Sequence, residues 1–217
     1  AIFTLEYALA KVWISYGIKP SAVIGHSIGE YPAACIADIL SLEDGIRLVV
    51  GRATLMQSLA SNGTMLLVLS EKEKIEEIVG KFGLEFGVIN TKDNIVVSGL
   101  KDNISRFKDE LEKEKIAYRE LSVSNAFHSK LMEPILDEFS KLLATIKFNK
   151  PSIPFVSNLT GKIEMDIMCS PDYWVKQLRN TVLFMDGIES LIRNKYHTFI
   201  EIGPSKNLTS YIRGIGE

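Results

Sequence analysis

Cysteine is scarce in this 217-residue chain, with only Cys35 and Cys169 present. They form no CxxC pair and no Cys/His spacing, so neither a disulfide framework nor a structural zinc site is supported, and a reducing cytoplasm is the expected compartment. Long apolar runs are lacking too. The longest candidate, residues 65–69, is strand-sized and far short of the roughly 18 to 20 residues that span a bilayer. Nor does either charge dominate: 25 Lys and Arg face 27 Asp and Glu, a net charge of -2, which gives no electrostatic reason to expect nucleic acid or an anionic membrane as partner. What is there is 46% hydrophobic and 24% charged, the profile of a globular protein with one sizeable core or two modest ones. Disorder and fibrous repeats are excluded. The chain opens on Ala1 and runs straight into a helical pattern, Leu5, Leu9, Val12 and Trp13, so a longer parent protein is expected.

Gly17 and Pro20 break that first helix, and the short apolar run 22–24 ends in Gly25-His26-Ser27-Ile28-Gly29, which reads as strand, sharp turn, helix. Ser41 and Asp44 open a second helix whose apolar face includes Leu48, Val49 and Met56. The texture then shortens: strand 64–69, helix 71–79, strands 84–90 and 94–97, helix 102–114, strand 116–123. That βαββαβ order predicts a ferredoxin-like subdomain, residues 62–125, inserted into a larger α/β unit of residues 1–61 and 126–217. The remainder predicts a helix over 130–143, an extended Pro-rich stretch 151–157, helical segments near 173–178 and 184–193, and a strand over 198–202.

Ser27 occupies a G-x-S-x-G spacing between a strand and a helix, the context of a nucleophile elbow. Side chains at 25 and 29 are expected to strike neighbouring backbone, and the helix N-terminus offers N–H groups to a developing oxyanion. Such pentapeptides also occur as plain glycine-rich connections. His128, at the start of the predicted 130–143 helix, could take the serine proton, the helix N-terminus favouring its neutral form; otherwise it is a boundary histidine. His26 lies inside the turn, and His197 precedes a strand remote in sequence. Arg52 has Leu48, Val49, Leu55 and Met56 at i±3 and i±4, which puts a guanidinium on an apolar face where it needs an anion. That anion is either a core carboxylate or the carboxylate of a substrate held near Ser27.

Six collinear blocks carry a resemblance: GHSIGE (25–30), GRATLMQ (51–57), NAFHSKLMEP (125–134), VSNLTG (156–161), YWVKQLRNTVLF (173–184) and EIGPSKNL (201–208). The sequence resembles the malonyl-CoA:acyl carrier protein transacylases and, more closely, the acyltransferase domains of modular polyketide synthases. The resemblance implies an α/β-hydrolase-like large subdomain with the inserted ferredoxin-like one. It implies Ser27 as the acylated nucleophile, His128 as its base oriented by the backbone carbonyl of Gln177, and Arg52 as the clamp on a malonyl carboxylate. His26, Ile28, Phe127 and Asn125 fall at substrate-contacting positions. The Ile28 N–H is the one oxyanion donor assignable, since the family's opening strand, with its GQGxQ glutamine, is absent. Asn125 stands where HAFH-type members have histidine. Phe127, together with Ile28, points to malonyl over methylmalonyl.

The implied partners are an acyl carrier protein, an acyl-CoA or acyl-carrier-protein donor, and neighbouring synthase domains. No metal or redox cofactor is called for, phosphopantetheine arriving on the carrier. Asn125 leaves a hydroxy- or aminomalonyl unit open. Two other readings compete: a serine esterase or thioesterase, whose chain order needs a late histidine such as His197, and a non-catalytic docking domain, which needs neither a nucleophilic serine nor a buried arginine.

Overall fold

The computed structural model describes residues 1–216. Helix α1 (Ile2–Ser15) leads through β1 (Val23–Ile24) and a 3-10 turn, Ser27–Gly29, into α2 (Glu30–Ile36). Helix α3 (Leu42–Gln57) follows, its N-terminus capped as predicted by the Ser41 side chain, which accepts a hydrogen bond from the Asp44 N–H at 3.0 Å. Then come β2 (Gly63–Val68), α4 (Lys72–Lys81), β3 (Glu85–Thr91), β4 (Asn94–Leu100), α5 (Lys101–Lys113) and β5 (Tyr118–Glu120), in the βαββαβ order expected. After them the chain forms α6 (Leu136–Leu143), β6 (Phe155–Val156), β7 (Ile163–Glu164), α7 (Pro171–Arg179), β8 (Val182–Leu183), α8 (Phe184–Arg193) and α9 (Asn207–Gly216).

Two sheets organise the molecule. The larger has the order β5-β2-β4-β3-β8 and the smaller β1-β6-β7. Strand β2 explains how the larger sheet is held: alternate residues point to opposite faces, so Leu66 and Val68 join Ile75, Val97, Phe107 and Leu111 under α4 and α5, while Met65 and Leu67 join Val88, Val96, Phe184 and Ile188 on the other side. Because both faces are covered, β2 reads as a continuous apolar run. Each such fully buried side chain contributes about 1.5–3 kcal/mol. A third core, around Tyr31, Leu48, Phe139, Phe155 and Trp174, is packed from α2, α3, α6, β6 and α7.

Four local expectations change. Strand β8 pairs in parallel with β3, Val88 against Val182 and Ile89 against Leu183, so the sheet of residues 62–125 takes a fifth strand from outside that range. The 130–143 helix splits into a 3-10 segment, Lys130–Ile135, and α6; Pro134 lacks the N–H an α-helix would use there and biases its predecessor away from the α region. Residues 198–202 form no strand, for no strand pairs with them among the described residues; Glu201 instead accepts hydrogen bonds from the Leu208 and Thr209 N–H groups at the start of α9. Of the two elbow glycines, only Gly25 is forced. A Cβ there would lie 2.2 Å from the Glu30 nitrogen, whereas at Gly29 the nearest atom is 4.0 Å away.

Candidate active site

The strand-turn-helix segment β1-Ser27-α2 puts Ser27 at φ 53°, left-handed backbone that costs a side-chain-bearing residue roughly 1–2 kcal/mol. Neighbouring groups hold it there. The Ser27 N–H donates to Asn158 Oδ1 at 2.8 Å, and the Ser27 carbonyl accepts from Gln177 Nε2 at 2.9 Å. Asn158 also grips the strand side of the turn, donating through Nδ2 to the Gly25 carbonyl at 2.7 Å. The Ile28 N–H, next along the turn, has no acceptor among the described residues, and its side chain packs against the core around Trp174.

Ser27 Oγ and His128 Nε2 are 2.6 Å apart, across 101 positions of sequence. His128 also sits at positive φ, 56°. Its Nδ1 faces two backbone carbonyls, Gln177 at 3.2 Å and Asn180 at 3.1 Å. Two acceptors there fix the tautomer: Nδ1 carries the proton, leaving Nε2 free to accept the serine proton. Burial pushes the imidazole down to about 3, assisted by the charge of Arg52 and by His26 and opposed by the two carbonyls. Desolvation is thus the main cause of the neutral form, where the sequence pointed to a helix N-terminus; the element that follows is the 3-10 segment. The pH prediction is direct. With the imidazole held neutral to about 3, any reaction in which His128 takes the Ser27 proton is expected to show no acid limb near 6.5, the ordinary histidine value. A kcat/KM profile falling with an apparent pKa near 6.5 would contradict this assignment.

Arg52 is buried on α3, 6% exposed, with its guanidinium 5.6 Å from the Tyr31 ring centroid. It pairs with no carboxylate among the described residues, and its buried Nε has no hydrogen-bond partner. The internal salt bridge is therefore not formed. Burial lowers the guanidinium's proton affinity, but arginine retains its proton in proteins. The site carries a fixed, unpaired positive charge whose field reaches His128.

Of the other predicted residues, His26 and Asn125 have their polar side chains engaged. His26 Nε2 donates to Asn90 Oδ1 at 2.8 Å, and its ring lies 5.2 Å from that of Phe184. Asn125 is buried, its Nδ2 donating to the Met56 carbonyl at 3.2 Å. Half-buried Phe127 touches two of the cores. His197 is exposed, while Ser27 has His128 for its partner. No three His, Cys, Asp or Glu side chains converge as a metal-binding group among the described residues.

The arrangement is a half-buried hydroxyl on a strained turn, a neutral imidazole ready to accept its proton, a free N–H next to it and an unpaired guanidinium nearby. Such a set can form and break an acyl ester while holding an anionic acyl group. Comparison with known proteins agrees in kind: the model of the acyl transferase domain matches residues 1–214. The chain belongs to the acyl transferase domain family. It is 35% identical over 212 residues to mycoketide-CoA synthase of Mycobacterium tuberculosis, covering 98% of this chain and 5% of that protein. The acyltransferase domain from the second module of the salinomycin polyketide synthase superposes with a TM-score of 0.94 at 36% identity, covering 98% of this chain and 51% of that one. Malonyl CoA-acyl carrier protein transacylase from Clostridium perfringens superposes with a TM-score of 0.94 at 29% identity, covering 99% of this chain and 70% of that one. This acyl transferase domain therefore spans a small part of the curated synthase it matches and about half of the salinomycin domain.

Sequence reasoning missed three groups in the site. Asn158 and Glu30 both lie in blocks that carried the resemblance, yet neither had a reason for its presence until the chain folded. Asn180 adds a second carbonyl to His128; no residue type marks a backbone acceptor, so nothing in the sequence could have singled it out.

Proposed function

We propose that this acyl transferase domain moves a malonyl-type acyl group from a thioester donor to the phosphopantetheine thiol of an acyl carrier protein through an acyl-Ser27 intermediate, within polyketide biosynthesis. Residues 1–61 and 126–217 carry the nucleophile, and residues 62–125 form one wall of the cleft. The 2.6 Å contact between Ser27 Oγ and a His128 that is buried and neutral carries the reading. As Oγ attacks the thioester carbonyl, its proton passes to His128 Nε2, the imidazolium is held through Nδ1–H by the Gln177 and Asn180 carbonyls, and the Ile28 N–H meets the oxyanion. The thiol of coenzyme A, or of a donor carrier protein, leaves with the proton. The acceptor thiol repeats the sequence in reverse, giving ping-pong kinetics.

Arg52 supports the dicarboxylic class of acyl group, because a fork buried without a partner gains most from a carboxylate. Phe127 and Ile28 favour malonyl over a branched unit. The Asn125 amide, tied to the Met56 carbonyl, is not needed for that selection, which keeps malonyl ahead of hydroxy- or aminomalonyl. The test is intact mass of the whole protein after mixing with malonyl-CoA. A malonyl adduct is expected on Ser27 and is expected to vanish in Ser27→Ala. An unmodified wild-type protein, with coenzyme A and carrier-protein donors alike, would end the proposal.

A further inference from the structure

One buried carboxyl group has no part in the chemistry above. Glu30 opens α2, three residues after the nucleophile, and is fully buried. Its Oε1 accepts from the Asn158 N–H at 2.7 Å and lies 2.9 Å from the Tyr173 hydroxyl. Its Oε2 is buried with no partner, and so is Gln177 Oε1. The Gln177 amide cannot be turned to satisfy itself, because its Nε2 is held by the Ser27 carbonyl at 2.9 Å; rotation would set two acceptors against each other. The Gln177 side chain lies close enough to the Glu30 carboxyl to act on it. Two buried acceptors on these neighbouring side chains lack a hydrogen, and a protonated carboxyl can supply it.

Resting on the acyl-serine reading above, we propose that Glu30 is a neutral carboxylic acid whose Oε2–H donates to Gln177 Oε1, making it the positioning residue that locks the Ser27 turn to the carbonyl that orients His128. Through Asn158 it also braces the Ser27 N–H and the Gly25 carbonyl. One buried group thus joins Asn158, which braces the nucleophile's turn, to the residue whose carbonyl faces the base. The charges around it agree. Tyr31 beside it on α2 and Tyr173 on α7 are both raised by burial, Tyr31 to about 12, and stay neutral. Neither Arg52 of α3 nor any other cation pairs with Glu30 among the described residues. Burial pushes the Glu30 carboxyl up to about 8 against the lowering effect of its hydrogen bonds. As pH rises through that value the proton is lost, Gln177 Oε1 faces a bare carboxylate, and the turn loosens.

The test compares Glu30→Gln with Glu30→Leu in the intact protein. Glutamine keeps an acceptor for Asn158 and a donor for Gln177; leucine keeps neither. Glu30→Gln is expected to form acyl-Ser27 at close to the wild-type rate and to lose the alkaline limb near pH 8, whereas Glu30→Leu loses about 100-fold through a misplaced nucleophile. Glu6 on α1, pushed up to about 7 by burial, titrates in the same range, so Glu6→Gln must leave the limb in place. The readout independent of activity is infrared: wild type at pH 7 shows the carbonyl band of a protonated carboxylic acid that Glu30→Gln removes and Glu6→Gln does not remove in full. An adduct rate for Glu30→Gln as low as that for Glu30→Leu, or no band assignable to Glu30, overturns the proposal. A band assignable to Glu30 in a wild-type protein that forms no adduct leaves Glu30 protonated and overturns the acyl-serine reading instead.

Discussion

His128→Ala is expected to slow acylation of Ser27 by roughly 10²- to 10⁴-fold, the range that a positioned general base supplies. The loss should appear in the rate of adduct formation under single-turnover conditions, with substrate affinity little changed, because the imidazole acts on the proton in flight. Two features of the site make the effect large. No second side chain pairs with Ser27 Oγ among the described residues, so nothing replaces the base. The two carbonyls that orient Nδ1 are also left without their donor. His197→Ala is the companion variant; with His197 exposed, its adduct rate should match wild type. If His197→Ala abolished acylation while His128→Ala did not, the chemistry would be that of a hydrolase with a late histidine. A melting curve separates a lost base from a lost fold.

Arg52→Ala is expected to reverse the choice of acyl group. In wild type, a monocarboxylic acyl group leaves the buried guanidinium unpaired, and breaking such a buried pairing by removing one partner costs roughly 3–5 kcal/mol. Removing Arg52 should therefore cut the preference for malonyl over acetyl thioesters by about 10²- to 10³-fold, given tenfold for each 1.4 kcal/mol. The readout is competition between the two thioesters, scored by the mass of the acyl-Ser27 adduct. Unchanged preference would show that Arg52 serves the fold alone. Stability moves the other way: Arg52→Leu removes a charge buried with no carboxylate partner and should melt no lower than wild type.

Local order and the candidate site residues were both legible in the sequence where they depend on neighbours along the chain. The Ser41 cap, the βαββαβ order, the tight turn at Gly25 and the apolar surroundings of Arg52 are matters of spacing, and spacing is what a sequence states outright. The pairing of Ser27 with His128 was also within reach, since three histidines leave few choices and the collinear blocks narrow them further. Long-range partners were not. Pairing of β8 with β3 depends on backbone edges that any residue type can present, and residues 198–202, with strand-like composition, pair with no strand among the described residues. The cause assigned to the neutral His128 differed for the same reason: desolvation is set by everything that packs around a group, which no window of sequence contains. Asn180 acts through its carbonyl, and Glu30 reads as a routine acidic residue at a helix start until folding buries it against Gln177. The sequence by itself determined which residues are candidates for the chemistry and the order in which they come. Only the tertiary structure decided their protonation, their strain and their supports, because burial and backbone hydrogen bonding are properties of the packed chain.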